Sequence, residues 1–214
     1  MHRSQRLLSA VLWVGAAVAG GQAATIGFDK DDPGRPPKGF AFAVTGQGKA
    51  GAWVVRKDDA VHGNVLVQTD ADTTDNRFPV AIYRDFTGAD VHVAMQFKAL
   101  AGKGDQGAGI VWRYRDANNY YVTRCNALED NCTIYHVVDG RRQAFQNTSV
   151  KVTSNAWHTL SVEAVGNHFV VTFDRARVLD AKDGTFKEPG QVGLWTKADS
   201  VIAFDDLTMT DLAR

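Results

Sequence analysis

Hydrophobic positions in this chain alternate far more often than they recur at helical spacing. Over residues 90–98, Val91, Val93, Met95 and Phe97 point one way and His92, Ala94, Gln96 and Lys98 the other. That is the pattern of a half-buried antiparallel strand. Residues 157–165 repeat it, with His158, Leu160, Val162 and Ala164 on one side. After a Gly166-Asn167 turn, Phe169, Val171 and Phe173 return. Residues 53–55, 64–68, 78–86, 190–196 and 201–209 read as further strands. Residues 25–52 are rich in Gly and Pro and predict a short first strand, then a long loop, because Pro33, Pro36 and Pro37 cannot donate to a ladder. No 3.6-residue pattern of useful length is present. The expectation is an all-β fold, two antiparallel sheets packed as a jelly-roll sandwich.

Residues 109–138 organise the rest. They hold three runs rich in β-branched and aromatic residues, split by the turns 116–119 and 126–131. A simple four-residue hairpin would set Arg115 opposite Tyr120, Arg113 opposite Val122 and Trp112 opposite Thr123. One face would then carry Ile110, Trp112, Tyr114, Tyr121, Thr123 and Cys125, a core face. The other would carry Val111, Arg113, Arg115, Tyr120, Val122, Arg124 and Asn126, a polar, basic and aromatic face. Cys125 and Cys132 flank the second turn. If that turn closes a hairpin they oppose each other on one face, within reach of a disulfide. The rival reading is a pair of buried thiols.

The N-terminus changes the picture of where the chain works. Residues 1–6 are basic, 7–20 are apolar but too short to span a bilayer, and Gly21-Gln22-Ala23 supplies small residues for cleavage. Residues 1–23 are therefore expected to be a signal peptide, 24–214 one domain, and the protein periplasmic or secreted, with no membrane span after cleavage. Lys plus Arg and Asp plus Glu number 24 each; without Arg3 and Arg6 the balance is 22 basic against 24 acidic. That argues against nucleic acid as a partner. Glu occurs only as Glu129, Glu163 and Glu188, whereas Asp is frequent, as turn-rich β proteins require.

The run over 109–137, then NAWHTLSVEAVGNHFVVTFD, then GQVGLWTKADSVIAFDDLTM, resembles the concanavalin A-like lectin/glucanase jelly rolls. Within them it is most similar to bacterial secreted LamG-like and 3-keto-disaccharide hydrolase (glycoside-hydrolase-16-like) domains. The resemblance covers residues 109–209 well and the first half in layout. It departs at the two cysteines, where relatives carry apolar residues, and at Asp174-Arg175, where relatives often have Asp-Gly. It implies a fold that hosts lectins, glycosidases, lyases and structural modules alike.

The paired acids of the glucanase motif, E-x-D-x-x-E, are absent, which disfavours retaining hydrolysis by that motif. Glu129 and Asp130 read as solvated turn acids, and His92, His136 and Glu163 as ordinary sheet-surface residues. No catalytic residue is assigned. The stronger candidate is a ligand-binding face of Arg113, Tyr120, Arg124, Asn126 and Tyr135, joined by Trp195 and Lys197 from another strand. Arginine forks bind carboxylates and adjacent hydroxyls, and aromatic rings stack on sugars. No cofactor is expected. Structural calcium is the one metal the resemblance suggests; Asp29, Asp205 and Asp206 would suit such a site, they read equally as turn acids, and no metal is assigned. The expected function is non-catalytic carbohydrate binding, with a carbohydrate or glycan-like partner. The alternatives are a 3-keto-glycoside hydrolase or lyase and a structural or protein-interaction module of the cell envelope.

Overall fold

A computed structural model describes residues 23–58 and 61–213. The expected signal peptide lies outside the described residues except for Ala23, which opens the first strand. Fifteen strands and no helix occur among the described residues. They are β1 Ala23–Ile26, β2 Phe40–Gly46, β3 Trp53–Lys57, β4 Asn64–Gln68, β5 Arg77–Gly88, β6 Val91–Ala101, β7 Gly107–Asp116, β8 Asn119–Asn126, β9 Asn131–Val138, β10 Arg141–Ser149, β11 Trp157–Val165, β12 His168–Phe173, β13 Ala176–Lys182, β14 Gly190–Thr196 and β15 Val201–Asp211. The first sheet runs β13-β12-β11-β6-β15-β4-β3, with β1 also on β15; the second runs β10-β9-β8-β7-β14-β5-β2. Both are antiparallel.

The expected all-β sandwich is therefore the fold. Alternation sends Val91, Val93, Met95 and Phe97 of β6 into the space between the sheets. There they meet Ile110, Trp112, Tyr121 and Leu194 of the second sheet, all buried. Burial of each large apolar side chain stabilises by about 1.5–3 kcal/mol. Three strands were not legible as such. β2 alternates Phe40, Phe42 and Val44 after the prolines end, so the supposed long loop stops at Gly39. β10 and β13 are mostly polar or exposed and carry no hydrophobic alternation.

The second sheet has a further apolar layer on its other face. Phe78, Val80, Ile82, Val111, Tyr120, Val122, Tyr135, Val137 and Trp195 form a separate buried cluster there. The sheet curls around it. β10 and β5 are separated by four strands, a span of roughly 24 Å in a flat sheet at about 4.8 Å per strand. Yet the guanidinium of Arg142 on β10 lies 4.5 Å from the ring centre of Phe78 on β5. The concave face is thus a second small core, and polar chemistry is confined to its rim.

Cys125 and Cys132 are directly opposed on β8 and β9, with α-carbons 4.1 Å apart, and form a disulfide that points into the main core. The first hairpin departs from the simple register. Val111 pairs with Val122 and Trp112 with Tyr121, but the ladder slips before Asp116 meets Asn119. The bulge contains Arg113, whose φ of 48° lies in the left-handed region. Beyond it the faces exchange. Tyr114 packs on the concave layer beside Tyr120, while Arg115 lies over Phe186 of the main core.

Candidate functional site on the rim of the curled sheet

Three turns and one edge strand bring the rim together. The β8–β9 turn is set by Asn126, whose side-chain oxygen accepts the Leu128 amide at 2.9 Å. That turn carries Glu129. The loop before β7 is fixed by Asp199, whose carboxylate accepts the amides of Lys103, Gly104 and Asp105 at 2.7, 3.0 and 2.9 Å. That loop carries Asp105. The β9–β10 turn is Asp139-Gly140, both with positive φ, 50° and 75°. It sets Arg142 opposite Val137, on the concave side.

Three ion pairs follow. Arg124 donates to Glu129 at 2.7 Å and to the Tyr135 hydroxyl at 3.1 Å, and also bonds the side-chain oxygen of Asn131. Asn131 in turn donates to Glu129 at 3.1 Å. Lys197 lies 2.6 Å from the buried Asp105 carboxylate and 3.5 Å from the exposed Asp75, and Asn126 donates to Asp105 at 2.5 Å. The environments push the two acids apart. Burial raises the Asp105 carboxyl, only partly opposed by Lys197. Burial would raise Glu129 too, but Arg124 and Asn131 outweigh it and hold Glu129 low. Burial would lower Lys197, but Asp105 outweighs it and holds Lys197 high.

The third cation is Arg142, on a strand the sequence did not reveal. Its guanidinium packs 4.4 Å from the Tyr135 ring, 4.5 Å from Phe78 and 5.5 Å from Trp195. Its Nη1 is buried and has no hydrogen-bond partner among the described residues. Burial lowers its pKa, partly offset by Tyr135.

Of the seven expected ligand-binding residues, Arg124, Asn126, Tyr135 and Lys197 meet on this rim. Tyr120 and Trp195 are on the same face, at 0% exposure within the concave apolar layer; Asn126 is equally buried and acts through its bonds to Asp105 and Leu128. The Tyr120 hydroxyl bonds Thr45 at 2.7 Å, and burial pushes its pKa up to about 12. Arg113 is not on this face. The bulge turns it away, and it donates to the carbonyls of Ala89, Phe186 and Gly166 at 2.8, 2.7 and 2.6 Å, tying three connections together. Sequence reasoning missed Asp105, Glu129 and Arg142 as members of the rim. Glu129 had a usable signal, being five residues from Arg124 across a tight turn.

The acids proposed for calcium do not form a cage. The Asp29 carboxylate accepts the Asn64 amide, Asp205 bonds His62, and Asp206 accepts from Gln96. No group of three or more His, Cys, Asp or Glu among the described residues is placed to hold a metal ion. No helix among them is long and apolar enough to cross a membrane.

Residues 34–210 match the family described as the 3-keto-alpha-glucoside-1,2-lyase-like domain. The chain belongs to that family. Among curated proteins, this chain is 26% identical over 125 residues to a levanase of Bacillus subtilis (strain 168). The aligned part is 57% of this chain but 18% of the levanase, so the chain spans less than a fifth of that relative. Among solved structures it is similar to a carbohydrate binding module from Bacillus subtilis, with a TM-score of 0.64 and 22% identity over 81% of this chain and 96% of the other. It is also similar to a candidate glycosyl hydrolase from Parabacteroides distasonis, with a TM-score of 0.53 and 10% identity over 82% of this chain and 95% of the other. At these identities the two likenesses show a shared fold.

Proposed function

We propose that this chain is an exported carbohydrate-binding domain that holds a glycan on the rim of the curled sheet without transforming it. The observation that carries this reading is the convergence of Arg124, Arg142 and Lys197 with Asp105, Glu129, Asn131 and Tyr135 at one opening of an otherwise apolar face. Fixed donors and acceptors around apolar ring edges are what sugar hydroxyls and sugar C–H faces require. Likeness to a carbohydrate binding module and to part of a levanase supports the same ligand class. The disulfide suits an oxidising compartment, which supports a periplasmic or secreted protein with residues 1–23 as leader.

Binding rather than turnover is favoured because both acids are already committed. Glu129 is held by Arg124 and Asn131, and Asp105 by Lys197 and Asn126. One observation favours the enzyme reading instead: the two carboxyls are driven in opposite directions, as an acid and base pair would be.

Saturation-transfer NMR with a panel of neutral and acidic oligosaccharides, followed for a day, separates the two. The expected outcome is transfer to a sugar with no new resonances, and at least a tenfold weaker affinity for Arg124→Ala, about 1.4 kcal/mol. New sugar signals that vanish in Glu129→Gln or Asp105→Asn would establish the enzyme reading.

A further inference from the structure

The charges on the rim do not balance by pairs. Arg124 has Glu129 and Lys197 has Asp105. Arg142 has neither an ion pair nor a side-chain hydrogen bond among the described residues, only three ring faces and a buried, unpartnered Nη1. The carboxylate that attracts it, Asp105, is already held by Lys197 and Asn126. A buried guanidinium N–H without a partner is costly unless something supplies an acceptor.

The space beside it is suited to do so. A recess of about 380 Å³ is lined by Gly46, Asn76, Phe78, Gly140, Arg141 and Arg142. It presents two adjacent arginines, one amide and one ring, and no acid. Arg141 is exposed and, like Arg142, has no ion pair among the described residues. Gly46 ends β2 and Gly140 lies in the β9–β10 turn, both with positive φ, 82° and 75°.

We infer that this recess binds an oxyanion carried on a sugar, such as the carboxylate of a uronic acid or a sulfate ester, with Arg142 and Arg141 as its counter-ions. The inference rests on the carbohydrate reading above and specifies the ligand class. The planar fork of Arg142 can engage two oxygens of the anion at once.

Isothermal titration of the purified protein with digalacturonate, with its neutral counterpart galactobiose and with a sulfated galactobiose tests this. At low salt the acidic sugars are expected to bind at least tenfold more tightly than the neutral one, with the gap narrowing as sodium chloride is added. Preference for carboxylate or for sulfate identifies which anion is the better fit. Arg142→Met should bring acidic and neutral affinities within about twofold of each other. Arg141→Ala, whose side chain lies outside the ring stack, should reduce the preference about threefold. It decides the matter if Arg142→Met does not fold. Equal binding of neutral and acidic sugars, or a preference that survives both substitutions, would overturn the inference and leave a neutral carbohydrate site standing. Absence of binding to every sugar would overturn both readings.

Discussion

A single backbone angle separates two arginines that alternation placed together. Arg113 and Arg124 belong to the same face in any regular hairpin, but a φ of 48° at Arg113 inserts a bulge and turns its side chain to the carbonyls of Ala89, Phe186 and Gly166. Residues without a Cβ make the opposite contribution. Gly193 lies on the concave side of β14, where an added Cβ would sit 2.3 Å from the Ala81 carbonyl oxygen and 2.9 Å from the Ile82 α-carbon. Backbone atoms cannot yield as a flexible side chain can. Gly193→Ala is therefore expected to cost about 1–3 kcal/mol by overpacking, read as a lower urea midpoint. Gly184→Ala, which meets nothing within 4 Å, should stay within about 0.5 kcal/mol of the parent. At this scale the sequence was a partial guide. The core role of Trp112 and Tyr121 follows from alternation alone, because both precede the bulge in the ladder. The exchange of Tyr114 and Arg115 does not, since nothing in RYRD marks a left-handed arginine.

Among elements, the β8–β9 hairpin does most to position the rim. It supplies Arg124, Asn126, Glu129, Asn131 and Tyr135, and the disulfide closes it with a separation of seven residues. Closing so short a loop is worth about 2–3 kcal/mol. A Cys125→Ala/Cys132→Ala protein should lose at least that much in urea titration, because both side chains also fill the main core. This hairpin was readable: asparagines and acids at the turn, β-branched and aromatic residues on both arms. β10 was not. Its residues are polar or exposed because it is an edge strand whose inner neighbour, β9, supplies the hydrogen bonds. A strand held by ladder bonds rather than by burial leaves no hydrophobic period, so Arg141 and Arg142 could not be assigned to a face. β2 escaped for another reason. The prolines before Gly39 masked a strand whose own alternation, Phe40, Phe42 and Val44, is regular.

For the whole molecule, acid is the expected weak point. Burial raises Asp105 and Asp205, and each of these favours the fold when protonated. Five carboxyls lie low: Asp72, held at about 2 chiefly by Thr74, and Glu129, Asp130, Asp183 and Asp199. A carboxyl held below its ordinary value stabilises the fold above that value, and the contribution disappears as pH falls through the folded one. With five such groups against two, thermal melting should move to lower temperature between about pH 4 and pH 2. A midpoint that holds or rises there would contradict the balance.

The curl has a consequence for descent. What holds the second sheet in its rolled shape is apolar and interior: Phe78, Val111, Val122, Trp195 and their neighbours. The rim that the proposed function assigns to a ligand comes from turns, a preceding loop, an edge strand and the ends of β8 and β9, and is hydrogen-bonded mainly within itself. Substitutions at Glu129, Asn131 or Arg141, none of which belongs to that apolar layer, are expected to leave the roll intact. If the rim binds a sugar as proposed, its preference can therefore change by substitution at the margin without any trace in the apolar strands.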